Sequence, residues 1–366
     1  MRTCLTAKVE IMIELDMRCD SLQDPHQSVN RTVTRQQIAA VLLLATSTML
    51  AACADPADSL PEPTSQPPKL SATAPISEKQ SAGAALMFTE IAVWGEDPAG
   101  DVSFASPNGI AIDDDDNVYT IEFQGNRVQK FSPQGELLTQ WGSAGSANAQ
   151  FLNPTGIAID SEGNVYVSES GNHRVQKFTA KGEWLATFGA RGANPGEFLS
   201  AMVIAIDAVG NIYVTDWGNG RVQVFDPNGT FLATLIESGS AEGMLTTPTG
   251  IKLDDEGNLW VVDRGNNRVQ KFTAQGELLA VYGSAGDDEG QFLVPTSINF
   301  DAAGNFFVSE VSNSRVQAFS PEGEFLGEVA AGLLRGPHGL AFDSTGALYI
   351  TDTGNGLVRK FEPLAP

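Results

Sequence analysis

From residue 106 to its end the chain repeats one pattern six times, and that repetition limits the fold more than any other feature. The segment NPTGIAIDSEGNVYVSESGNHRVQKFTAKGEWLATFG begins at Asn153, and related segments begin near Ser106, Ser200, Thr247, Val294 and Gly336. The reference positions Pro107, Pro154, Ala201, Pro248 and Pro295 are each 47 residues apart, and Pro337 follows 42 later. Each copy holds three short β-type runs, such as GIAID, NVYVSE and RVQKF, then a fourth, EWLATFG, separated by turn signals like SEGN and AKGE. Four strands recurring at this interval predict one blade of a β-propeller per copy.

The sixth copy stops at LVRKFEPLAP, without a fourth strand. The missing piece stands before the first copy, where FTEIAVWG (88–95) matches GELLTQWG (135–142) and GELLAVYG (276–283). The expected fold is therefore all-β: a six-bladed propeller over 87–366, four antiparallel strands per blade, with the N-terminal strand closing the last blade. Without that strand the blade would present an unpaired edge.

The pattern P-x-G-I-A-I-D, then G-N-V-Y-V, then [DE]-x-G-N-x-R-V-Q-K-F resembles the NHL repeat over residues 88–361. The resemblance implies a six-bladed propeller and leaves function open, because the family includes binding platforms, sensor domains and enzymes.

SESGNHRVQKF (168–178) brings an acid, a histidine and an arginine together and invites a reading as a reactive cluster. The repeat argues against it. An acid stands five residues before an arginine in Glu122 and Arg127, Glu169 and Arg174, Asp216 and Arg221, Asp263 and Arg268, and Glu310 and Arg315; in the sixth copy Asp352 faces Leu357 and the arginine has moved to Arg359. Catalysis rarely needs a group six times. The structural expectation is an exposed pair across each hairpin, worth about 0–1 kcal/mol. The functional alternative is a ring of acids that binds a cation or a basic partner. IDDDDN (112–117) could mimic a calcium loop, yet it fills the slot of IDSEGN and LDDEGN and reads as a polar turn.

The propeller of amidating lyases, similar to this one, takes metal-binding histidines from several blades, one in a Pro-His-x-Leu-Ala context that PHGLA (337–341) matches with His338. Beyond the N-terminal region only His173 accompanies it, so a three-histidine zinc site cannot be assembled. A carboxylate site of the kind that resemblance to calcium-dependent lactonase propellers implies stays open, with calcium or zinc at the central channel. Otherwise no metal or cofactor is expected.

Departures from the repeat carry the other candidates. The third copy has Ala201, Met202 and Val203 for Pro-x-Gly, and Trp217 follows its acid; the fourth has Lys252 for the inner alanine and Arg264 after its acid; the fifth has Asn299 and Ser297. Drift between repeats is one reading. The other is a ligand pocket on the axial face, with Trp217 as platform, Lys252 and Arg264 as anion contacts, and Asn299 and His338 beside them. No nucleophile elbow, phosphate loop or dinucleotide fingerprint occurs, and the linkers GSAGSANAQF and GSAGDDEGQF lack the lysine that phosphate binding needs.

The formal net charge is −23, and residues 1–52 hold five acids and five bases, so the whole excess lies downstream. Such a field makes nucleic acid an unfavourable partner. Arg31 and Arg35, the apolar run IAAVLLLATSTML (38–50) and LAAC (50–53) follow in the order of an export signal. LAAC resembles the lipobox of bacterial lipoprotein precursors, which implies lipid on Cys53; an ordinary secretory signal with a chance cysteine is the alternative. Residues 1–52 would be the signal, extended at its start, with Met17 as an internal alternative start. Residues 53–86, rich in Pro, Ser and Ala, would be a flexible tether.

The combined expectation is a monomeric, lipid-anchored, extracytoplasmic propeller of a bacterial cell envelope. It would bind a protein, peptide or glycan through its axial face without catalysis. The alternative is a metal-assisted lyase or lactonase with carboxylate ligands around the channel.

Overall fold

A computed structural model describes residues 88–95 and 103–364. The signal region, Cys53 and the tether lie outside the described residues. Six four-stranded antiparallel sheets follow one another as the blades of a propeller. Their innermost strands are Pro107–Ile112, Pro154–Ile159, Ala201–Ile206, Ile251–Leu253, Pro295–Phe300 and Pro337–Phe342. Within each blade, strands one to four are counted outward from the axis.

Strand two explains the near-continuous apolar runs of the sequence. VYTIE, VYVSE, IYVTD, LWVVD, FFVSE and LYITD are buried at every position, because each of these strands has a neighbouring blade on both faces. Strand four is the outer edge and leaves Leu138, Leu185, Leu232 and Leu279 exposed at equivalent places. Six apolar clusters fill the seams between adjacent blades. In one of them Tyr119, Ile121 and Val128 of blade one meet Ile157, Val165 and Phe178 of blade two. Full burial of such a side chain contributes about 1.5–3 kcal/mol.

The linkers do more than connect. Phe151, Phe198, Leu245 and Phe292 each form a parallel bridge with a residue six or more positions back and are fully buried, so each linker folds over its blade as an apolar plug.

Blade six takes its fourth strand from the N-terminal side. Phe88–Trp94 pairs antiparallel with Leu357–Pro363, with a register shift between Glu90 and Ala92. Trp94 packs 5.6 Å from both Phe131 of blade one and Tyr349 of blade six, and Glu90 meets Arg359 at 2.6 Å. Blades one and six are also clasped at a turn, where Asp116 accepts hydrogen bonds from the Ser344 backbone N–H and hydroxyl at 2.8 and 2.6 Å. Asp116 has φ 59 at a place where the other blades use glycine, such as Gly163 and Gly210. The side chain that this left-handed position disfavours is the one that makes the clasp.

Candidate functional site

At the ends of the six blades where strand two turns into strand three, the repeated acids do not line the surface. Glu122, Glu169, Asp216, Asp263, Glu310 and Asp352 have no accessible surface at all. Asp263 shows the arrangement: it accepts from the Thr246 backbone N–H at 2.7 Å, Asn266 at 2.8 Å, Arg268 Nε at 2.7 Å and Gln270 at 3.0 Å. The arginine then reaches back to linker carbonyls, Arg268 to Ala241 and Met244. Arg359, although displaced by two positions, still contacts Asp352 at 2.7 Å. Two expectations are therefore corrected. The pairs are buried rather than exposed, and no open ring of carboxylates is available to a cation or a basic partner, because the linker entering each blade covers them.

Turn residues at the other ends are equally occupied. In IDDDDN, Asp113 accepts hydrogen bonds from Asn117 and Tyr119 and pairs with Lys130 at 3.1 Å. That carboxylate closes a turn.

Two rings of side chains outline the mouth. The positions after the acids are Phe123, Ser170, Trp217, Arg264, Val311 and Thr353, and those after the reference positions Pro107, Pro154, Ala201, Pro248, Pro295 and Pro337 are Asn108, Thr155, Met202, Thr249, Thr296 and His338. None of the twelve is acidic, in a chain of charge −23. Arg264 is the only fixed charge among them. It makes no ion pair or hydrogen bond with the described residues, unlike the repeat arginines, and burial lowers its pKa. Trp217, in the neighbouring blade, is half-buried, and its indole Nε1 is buried without a partner among the described residues. Beside it Leu199 is 38% exposed, with Leu152 and Leu293 at equivalent places in blades two and five.

His338 contributes a neutral imidazole. Its Nδ1 lies 3.0 Å from the Gly336 carbonyl, which can only accept, so Nδ1 carries the proton and Nε2 keeps its lone pair. Burial brings its pKa down to about 4 against the opposing effect of the Gly336 carbonyl, and the charge of Arg264 adds a smaller lowering.

Below the mouth the inner strands crowd together. A Cβ on Gly339 would lie 2.5 Å from the Asn108 carbonyl, and one on Gly156 would strike that of Met202. Beyond this level a cavity of about 300 Å³ follows the axis, lined by all six inner strands. Lys252 lines it, apart from the mouth. Asn299 also lines it, yet its amide is engaged: Nδ2 donates to the Leu340 carbonyl at 2.8 Å and Oδ1 accepts from the Phe300 N–H at 2.9 Å. The five candidates thus divide. Trp217, Arg264 and His338 share the mouth, Lys252 belongs to the channel, and Asn299 joins blades five and six.

Among the described residues no three His, Cys, Asp or Glu side chains come together, and the channel lining contains no carboxylate. The donor set does not fit the calcium or zinc of the enzymatic alternative.

Sequence reasoning passed over His173. It sits at φ 56 in the blade two hairpin, and Nδ1 accepts from the Ser200 N–H at 3.0 Å. Asn126 and Asn267 do the same with Oδ1 toward Asn153 and Val294. The signal was present in the alignment: His173 stands where two other copies have the asparagine of this left-handed position.

The NHL repeat is matched at residues 151–178, 204–225, 245–272 and 334–361, in blades two, three, four and six. No curated protein matches the sequence. Solved structures share the fold. A catalytically inactive histidine-to-alanine variant of virginiamycin B lyase from Staphylococcus aureus with quinupristin is 16% identical, with a TM-score of 0.53, covering 72% of this chain and 85% of that one. A gluconolactonase from Xanthomonas campestris is 18% identical, with a TM-score of 0.56, covering 78% and 99%. A Bacteroides thetaiotaomicron protein of unknown function is 18% identical, with a TM-score of 0.59, covering 76% of each chain.

Proposed function

We propose that this NHL-repeat propeller is a binding module, held at a bacterial cell envelope by lipid on Cys53, that takes an anionic segment of a protein, peptide or glycan at the axial mouth. The observation that carries this reading is Arg264, a guanidinium unpaired among the described residues, in a mouth without acids. Leaving a half-buried cation unpaired is unfavourable, and an incoming carboxylate or sulfate would relieve it with charge-assisted hydrogen bonds. Trp217 and Leu199 add apolar surface in the neighbouring blade, and apolar surface combined with charge is what anchors bound partners. An array of acidic and neutral peptides and glycans probed with the parent protein and with the Trp217→Ala/Arg264→Ala variant tests it. Acidic members should bind the parent alone; equal binding by the variant would remove the mouth from consideration. Fatty-acid labelling that is lost in Cys53→Ser tests the anchor.

A second reading rests on His338. Its free Nε2 beside Arg264 could accept a proton while the guanidinium stabilises a developing anion, a lyase or hydrolase chemistry in keeping with the names of the similar structures. A base with a pKa near 4 is weak at neutral pH, which places this reading behind binding. Turnover of an anionic ester or lactone that His338→Ala abolishes while binding persists would favour it.

A further inference from the structure

We propose that the channel is a separate site for a small monocarboxylate with an apolar body, whose charge is met by Lys252. Four blades place alanine at this level, namely Ala111, Ala158, Ala205 and Ala341, and a fifth places the engaged Asn299. Only blade four brings a charge. Among the residues that line the cavity there is no other ionisable group.

The lysine is unlike its counterparts elsewhere in the repeat. Lys130, Lys177, Lys271 and Lys360 each meet an aspartate at 2.8–3.2 Å and lie over an aromatic ring. Lys252 makes no ion pair or hydrogen bond with the described residues. It reaches solvent inside the channel while protein surrounds it, and that enclosure lowers its pKa. A cation held this way is destabilised until an anion joins it.

The rest of the lining selects the ligand. Ile112, Ile159, Ile206, Leu253, Phe300 and Phe342 circle the cavity on the side away from the mouth. They suit an alkyl or aryl body at that end, while Ser297, Asn299 and main-chain groups make the rest of the lining polar without bringing a second cation. A dianion such as phosphate would leave one charge unmatched in this lining and inside a protein of charge −23, so a single carboxylate is favoured. The volume of about 300 Å³ lies at the lower end of ligand cavities and fits a molecule of roughly six to ten heavy atoms.

Calorimetric titration with hexanoate, hexanamide and inorganic phosphate tests the site. Hexanoate should bind one to one, about tenfold or more tighter than hexanamide, with no heat from phosphate. Lys252→Ala should weaken hexanoate about tenfold or more, and Lys252→Arg should stay within about threefold of the parent. Since four blades already hold alanine there, the alanine variant should fold, and an unchanged or raised melting temperature verifies this. Arg264→Ala should leave hexanoate binding intact, which separates the channel from the mouth. Equal binding of acid and amide, preference for phosphate, no binding of hexanoate at millimolar concentration, or an unaffected Lys252→Ala would each overturn the proposal.

Discussion

Nδ1 of His173, at the left-handed position of the blade two hairpin, accepts a hydrogen bond from the Ser200 backbone N–H in the linker to blade three. The ring can accept only while that nitrogen is unprotonated. Burial, followed by the charge of Arg191, lowers the His173 pKa, against the opposing effect of Asp216. As pH falls below the unfolded value of about 6.5 the unfolded chain takes up a proton that the folded ring resists, so stability present above that pH is lost. His173→Asn, which supplies the acceptor used in blades one and four, should match the parent at pH 7.5 and melt higher at pH 5. Thermal scans at the two pH values check this, and identical shifts would dismiss the histidine as the acid-sensitive link.

The same linkage applies at the mouth with a larger amplitude. The His338 pKa falls to about 4 in the folded state, so the loss of stability runs from about pH 6.5 to about pH 4 and levels off below. It should reach about 2–4 kcal/mol. His338→Asn, the residue of blade one, should remove that part of the pH dependence in denaturant titrations.

Arg268→Ala should destabilise by about 3–5 kcal/mol, because it leaves the Asp263 carboxylate buried without the cation it pairs with among the described residues. Chemical denaturation reads this directly. A loss below about 1 kcal/mol would be the behaviour of an exposed pair.

Removing residues 87–95 strips blade six of its outer strand, together with the Trp94 contacts to blades one and six and the Glu90–Arg359 pair. Cooperative unfolding should disappear. A truncated chain that melts like the parent would rule out this closure.

The fold was legible because six copies report the same hairpins and the incomplete sixth copy points to the strand at residues 88–94. Burial of the acids was not. VYVSE followed by a turn looks like a strand ending at the surface, and only the linker 17 residues upstream, through contacts such as Leu152 N–H to Glu169, covers the carboxylate. The irregular residues were visible as departures from the repeat, but their levels along the axis were not. A few positions along blade four separate Lys252 in the channel from Arg264 at the mouth, and the neighbouring Leu340 carbonyl, remote in sequence, engages Asn299.

The most direct test of the binding account is charge reversal at the mouth. Arg264→Glu should fold with the parent's melting temperature and lose the acidic members of the peptide and glycan array while the parent retains them. Acidic members that bind both proteins equally, or a parent that does not distinguish acidic from neutral members, would contradict it.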